Sequence, residues 1–231
     1  MQKSRPFYEG ENIDLIVPTV EHARESSWPD WFNDQHTTRY THHGIFPNSV
    51  EDQVEFVQGL RASGRIALLI TAKGRETPVG TVSLSSVDMR NRTAAIAIVM
   101  DTKTAETVHP TAALEAISLM TEHAFNVLGL RRIDSGQAYP ALARWNQMLE
   151  ILGYRTEGIR RNAFARGHVI SDDVIMACLH ENFSALVDQR GGRLWPGSKA
   201  AIELIRSLPA QSFAARLDEA YRALEAEYFG G

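Results

Sequence analysis

Cysteine is almost missing from this chain: Cys178 stands alone. That excludes an intramolecular disulfide and a multi-cysteine metal site, and points to a reducing compartment, the cytoplasm. Its neighbours, IMACL, read as a buried strand, so the thiol is expected to be a small core hydrophobe and not a nucleophile. Long apolar runs are missing too, and the basic N-terminal stretch MQKSRPFYEGENIDL leads into no apolar segment; neither a membrane span nor a leader is expected. Charge of one sign does not dominate. The 24 Lys and Arg against 28 Asp and Glu leave a net charge of -4, which argues against a dedicated nucleic-acid binder even with a local basic patch such as Arg160, Arg161 and Arg166. There is no internal repeat, and the spacing of His36, His42 and His43 matches no metal signature, so no metal is expected. What remains is a folded chain of 231 residues, 44% hydrophobic, enough for one sizeable core or one core plus an appended segment.

Periodicity supplies the elements. NIDLIVPT alternates like a strand and stops at Pro18. Residues 21–48, with WPDWFNDQHTTRYTHHGIFPNS, are too polar for core and too aromatic for a linker, which suits short helices and loops around a site. Ser49 and Asp52 form a capping-box pair ahead of Val50, Val54, Val57 and Leu60 at helical spacing. RIALLITAK, PVGTVSLSSVD and TAAIAIVM read as an antiparallel meander turned by GRETP and MRNR. A long helix from about Pro110 to Leu128 carries Ala113, Ile117, Met120, Ala124 and Leu128 on one face and ends at Gly129. The strand RRIDSGQA, a helix ALARWNQMLEIL ending at Gly153, and strands around IRRNAFAR and DVIMACL follow. The pattern predicts an α+β or α/β layered fold with a mixed sheet. After about Glu181 the character changes: RGGRLWPGS is loop-like, and two helical runs are separated by Pro209. Two units are expected, 1–180 and a C-terminal helical extension, 181–231. Phe213, Leu217, Tyr221 and Leu224 form a stripe that should pack on the body or on a second subunit.

Glycine is lacking where it would be most telling. ETVHPTAALEA, residues 106–116, joins the strand AAIAIVM to the long helix. A strand, a tight loop and a helix start is an anion site in outline, because unpaired N–H groups and the positive end of the helix dipole meet there. Pro110 suits the first turn, and the N–H groups of Thr111, Ala112 and Ala113 are expected to be free.

The order of VGTVSLSSVDMRNRTAAIAIVM, EAISLMTEHAFNVLGLRRI and LEILGYRTEGIRRNAFARGHVISDDVIMACL resembles the GCN5-related N-acetyltransferase (GNAT) superfamily over roughly residues 10–180, in particular the branch that acetylates ribosomal-protein N-termini, polyamines and amino sugars. The resemblance implies a mixed, mainly antiparallel central sheet flanked by helices, acetyl-CoA as co-substrate and a primary amine of a small molecule as acceptor. WFNDQHTTRY resembles the acceptor region of the members that modify sugar nucleotides, which makes an amino sugar nucleotide the expected acceptor and Asp34, Arg39 and Tyr40 its contacts. Backbone groups of Val99, Met100 and Asp101 are implied to hold the thioester carbonyl, and Thr111, Ala112 and Ala113 the pyrophosphate. His109 and Thr111 stand where the family most often has glycine. Leu142, Trp145 and Leu149 stand where it has Asn, Ser and Tyr, which leaves Tyr139 as the phenol nearest the thiol path. His36, His42, His43 and His109 are candidate bases; His109 has the best position, although it could contact a phosphate instead. Glu157 and Arg160 are expected to steady the final hairpin. A homodimer is an open expectation. Two other readings also stay open: a binding or scaffold module with an altered CoA loop, and an enzyme with a different acyl donor or acceptor, including a nucleic-acid base.

Overall fold

A computed structural model describes residues 5–104 and 107–230. Eight strands form one sheet in the order β1-β2-β3-β4-β5-β6-β8-β7. They are β1 (Tyr8–Glu9), β2 (Ile13–Ile16), β3 (Ile66–Ala72), β4 (Pro78–Asp88), β5 (Thr93–Met100), β6 (Arg132–Tyr139), β7 (Arg155–Arg166) and β8 (Val169–Leu179). The expected meander is β3–β4–β5. Every neighbouring pair is antiparallel except β5 and β6, whose parallel register covers only Thr93–Arg132, Ala94–Ile133 and Ala95–Asp134. Beyond Ala95 the two strands no longer pair, and the sheet opens between them.

Each face of the sheet has its own cover, because side chains alternate along a strand. Val82, Leu84 and Ile96 point to the face crossed by α5 (Ala112–Glu122), which packs on β2, β4 and β5. Leu69 and Val99 point to the other, where they meet Trp28, Trp31 and Phe32. That second cover is built from α1 (Val20–Glu25), α2 (Trp28–Trp31), α3 (Gln35–Thr38) and α4 (Val50–Gly59). The α4 capping box forms as its spacing predicts: Ser49 Oγ accepts from Asp52 N–H, and the Asp52 carboxylate accepts from Ser49 N–H at 2.7 Å.

The long helix departs from expectation halfway along. It is α-helical only to Glu122; His123–Val127 forms a π turn, with Leu128 N–H donating to His123 O, before Gly129 adopts φ 66°. His123 turns inward there and meets the Tyr8 hydroxyl at 2.7 Å. β1 and α7 (His180–Gln189) were not expected from the pattern, although Phe183, Leu186 and Val187 of α7 do stand at helical spacing. α6 (Ala143–Leu149) continues as a 3₁₀ turn, Glu150–Leu152, and closes on Gly153 at φ 90°.

The C-terminal extension shares the main core. Phe183, Leu194, Ala201 and Ala214 are buried in it, and the loop before α8 (Ser198–Ser207) is strapped to the body. Glu11 accepts from Trp195 Nε1 at 2.9 Å and Ser198 N–H at 2.8 Å, and Glu122 accepts from Leu194 N–H at 2.6 Å. α9 (Phe213–Phe229) buries Ala214 but leaves Phe213, Tyr221 and Leu224 more than half exposed. The helix touches α6 and β7, and Tyr221 and Leu224 line an open groove against Ile159 and Arg161 of β7.

Candidate active site

The opening between β5 and β6 leaves strand edges that do not pair with each other beyond Ala95, although Ala138 O accepts from Leu142 N–H at 2.9 Å. Residues facing each other across an antiparallel pair alternate between hydrogen-bonded and non-bonded positions. Asp101 N–H donates to Val79 O at 2.9 Å, so Asp101 and, two residues back, Val99 turn their N–H groups toward β4 in the register Thr81–Val99. Ile98 and Met100 therefore aim theirs at the opening. On the far side, His180 N–H donates to Arg131 O, and the same parity along β6–β8 leaves Gly136 and Ala138 facing the opening. Of the expected trio Val99, Met100 and Asp101, one N–H is available for a carbonyl, and Ile98 supplies a second that the sequence reading passed over. The Asp101 side chain is occupied as well, accepting from Lys103 N–H and Thr104 Oγ1 at 3.0 Å each.

The start of α5 is partly capped from within. His109 Nδ1 lies 2.7 Å from Thr111 Oγ1 and accepts from Thr111 N–H at 3.3 Å, and Ala112 N–H donates to His109 O at 2.9 Å. Two of the three N–H groups expected to be free are thus engaged, and Ala113 is the next donor in line at the helix end. Glu106, at the head of the loop, lies outside the described residues. Glu115, one turn into α5, is fully buried; its carboxylate is turned away from the helix end to accept from the N–H groups of Glu11 and Asn12 and from Asn12 Nδ2 at 3.0 Å.

Tyr139 ends β6, is 7% exposed and lines a hollow with Ala143, Gln147 and Ala215. Burial raises its pKa above the ordinary 10, with Asp218 of α9 next in effect, so the phenol keeps its proton. Leu142, Trp145 and Leu149 lie along α6; the next residue after Trp145, Asn146, is buried with neither amide atom hydrogen-bonded to the protein.

On the opposite face a cavity of about 190 Å³ lies between α4 and the sheet. Trp28, Phe32 and Phe56 form its apolar wall, Ala97 to Val99 its floor, and His43 and Arg65 its solvent-exposed rim. Asp34, Arg39 and Tyr40 are elsewhere on the same segment. Asp34 caps α3 and accepts from Thr37 Oγ1 at 2.8 Å and Thr102 Oγ1 at 3.2 Å; the Thr37 bond leads in holding its pKa below the usual value. The Arg39 guanidinium sits 4.9 Å from the centre of the Tyr40 ring, outside the cavity. His36 is exposed, and the His42 ring lies 5.6 Å from that of Phe164. Glu157 pairs with Arg132 and Arg160 with Asp173, both tying strands of the final hairpin region together. The sequence reading missed Phe56 and Arg65, which become neighbours of residues 28–43 only through the tertiary fold.

A sheet that splays at its single parallel pair among the described residues, with a helix start behind it and a pocket in front, is the frame of an acyl-carrier-dependent transferase. The sequence model of the acetyltransferase (GNAT) domain matches residues 14–138, more than half of the chain. The chain belongs to that family and is an N-acetyltransferase that uses acetyl-CoA. Solved structures agree in fold. The ribosomal-protein-S5-alanine acetyltransferase from Vibrio fischeri is 14% identical, covering 76% of this chain and 97% of that one at a TM-score of 0.64. A GNAT-family acetyltransferase from Bacillus anthracis is 20% identical over 75% and 98%, TM-score 0.61. The microcin C7 self-immunity acetyltransferase MccE, in complex with acetyl-CoA and AMP, is 19% identical over 74% and 93%, TM-score 0.61. No curated protein matches. The backbone of the opening fits the co-substrate: an arm that carries amides can pair with both strand edges, and the orphaned Asn146 amide is a further polar group of the chain without a protein partner.

Proposed function

We propose that this chain moves an acetyl group from acetyl-CoA to the primary amine of a small molecule, with only the amine-bearing end of the acceptor entering the cavity under α4. The observation that carries this is the joining of two features on one strand: Ile98 and Met100 offer N–H groups to the opening, and Ala97 to Val99 floor the cavity. Donors fixed in the backbone stabilise charge developing on a thioester oxygen without reorganising. Tyr139, held protonated, gives its proton to the leaving sulfur. Ala113 N–H and the free ring nitrogen of His109 meet the pyrophosphate at the start of α5, His109 as a phosphate contact in place of a base, while Thr111 and Ala112 hold that residue in place.

A cavity of about 190 Å³ is below the ~300 Å³ at which pockets enclose a drug-sized ligand. A larger acceptor must therefore lie partly outside, and the exposed Arg39 and stacked Tyr40 suit a phosphate or a base there. An amino sugar nucleotide fits this division and is the acceptor proposed. The same reading places the enzyme in the cytoplasm, in keeping with its single free thiol, and joins two copies through the exposed α9 stripe. The capping of α5 by its own His109 favours a second reading, a family member that serves as a binding module. Mass spectrometry of a panel of amines incubated with acetyl-CoA and enzyme tests the first: amino sugars and their nucleotides should gain one acetyl group, and a panel left unmodified would support the second.

A further inference from the structure

We propose that His43 takes the proton released by the acceptor amine, and that Arg166 is the residue that positions it. This inference rests on the acetyl-transfer reading of the same pocket. His43 lines the cavity floored by Ala97 to Val99, so an amine seated there lies between its ring and the strand whose Ile98 N–H faces the opening. The imidazole leans on Phe32 with ring centres 4.8 Å apart and the planes tilted by 58°, and no described residue hydrogen-bonds its ring nitrogens.

The backbone that carries this free ring is held from several sides. Arg166, more than 120 residues away in sequence, donates to the carbonyls of His43 and Gly44, the latter at 3.2 Å, to Thr38 Oγ1 at 3.1 Å and to Gln35 Oε1 at 3.3 Å. His43 N–H donates to Thr41 Oγ1 at 3.1 Å. Gly44 makes the bend at φ 71°, where an added Cβ would stand 2.6 Å from Thr38 Oγ1. Such clamping keeps a catalytic group within the narrow tolerance that chemistry needs.

The other titratable groups nearby are committed elsewhere. His109 bonds Thr111, and the His42 ring leans on Phe164. Asp52 also lines the cavity, but its carboxylate accepts from both the N–H and the hydroxyl of Ser49 at 2.7 Å. The charged groups around His43 are then Arg65, Arg166 and His42 on the positive side and Asp52 on the negative. Crowding of the ring by the pocket wall, then Arg65 and His42, lowers the His43 pKa below its ordinary value. The ring is neutral at pH 7 and able to accept a proton.

The step balances. The amine lone pair forms the new C–N bond, and the C–S bond breaks with its electron pair left on sulfur. The nitrogen's surplus proton passes to His43, and the sulfur takes one from Tyr139. His43 keeps solvent contact and releases its proton there, and Tyr139 regains one, so a neutral amine and the thioester become an amide and a thiol.

The test compares wild type with His43→Gln on the best amine of the panel across pH 5 to 9, with acetyl-CoA affinity measured by calorimetry. His43→Gln should lose about 100-fold in kcat/KM, keep its acetyl-CoA affinity, and lose the fall in rate that wild type shows on the acid side of the ordinary imidazole value of about 6.5, where the lowered pKa of His43 puts it. Imidazole added to His43→Ala should restore part of the rate, which a structural role would not allow, and Arg166→Ala should lower kcat about tenfold. Should His43→Gln misfold, as judged by its melting temperature, His43→Asn and the imidazole rescue carry the test. Equal kcat/KM and an unchanged pH profile in the variant would overturn the proposal while leaving acetyl transfer intact. A wild type that binds acetyl-CoA yet acetylates no amine would instead overturn the functional reading, and this inference with it.

Discussion

Single residues in this protein are set by what they are buried against. Cys178 and Tyr154 lie in the main core without exposure, and the Tyr154 hydroxyl meets Thr121 Oγ1 at 2.9 Å. Burial pushes the Cys178 thiol up to about 12 and the Tyr154 phenol well above its ordinary 10. Folding therefore favours the protonated forms. Their contribution to stability is complete below the pKa values of the unfolded chain, about 8.5 and 10, and is lost as pH rises above them. The melting temperature should fall steadily from pH 9 upward, and Cys178→Ala should lessen the first part of that fall. The same burial predicts that a thiol reagent modifies Cys178 only in denaturant; reaction in the native protein within minutes would contradict its placement. Tyr139→Phe should cut kcat about 100-fold, the scale of a lost proton donor, with acetyl-CoA affinity unchanged by calorimetry. The reading of Cys178 as a core residue came from its neighbours alone. The environment of Tyr139 did not, since its leading acidic neighbour, Asp218, comes from α9, nearly eighty residues on.

Elements were legible wherever period and punctuation agreed. The α4 capping box, the β3–β4–β5 meander and the stops at Gly129 and Gly153 all follow from local pattern, because each is decided within one or two turns of chain. The limits show where the deciding contact is distant. The π turn at His123 accompanies a bond to Tyr8, and the apolar period of the long helix carries no trace of it. α7 begins directly after the last residue of β8, so the apolar run of the strand masks its start. In the loop before α5 the sequence does show an absence of glycine; what it does not show is that His109 turns back to cap α5. Two variants probe this scale. Gly153→Ala places a Cβ at φ 90°, 3.2 Å from Leu186 and 3.3 Å from Cys178, and should destabilise by about 1–3 kcal/mol in a denaturant titration. Glu115→Ala leaves the Glu11 and Asn12 N–H groups without their acceptor and should cost about 1–3 kcal/mol.

Across the whole molecule, one sheet divides the labour. α5 and the strapped extension cover one face, α1 to α4 the other, and the splay between β5 and β6 connects them. The extension shares the main core, so its sequence boundary near Glu181 is not a boundary in packing. The stripe on α9 is the exception, with Tyr221 and Leu224 each 51% exposed. Light scattering at micromolar protein should give a dimer mass for wild type and a monomer for Leu224→Arg; a wild-type monomer would refute the pairing. The most direct measurement is calorimetric titration of acetyl-CoA into the purified protein. Saturable binding in the micromolar range is expected, with a rise in melting temperature by mass action and weaker binding after Ala113→Pro, which removes the next N–H at the start of α5. No heat at several temperatures, with no thermal shift at millimolar acetyl-CoA, would contradict it and mean that His109 has closed the helix end to the co-substrate.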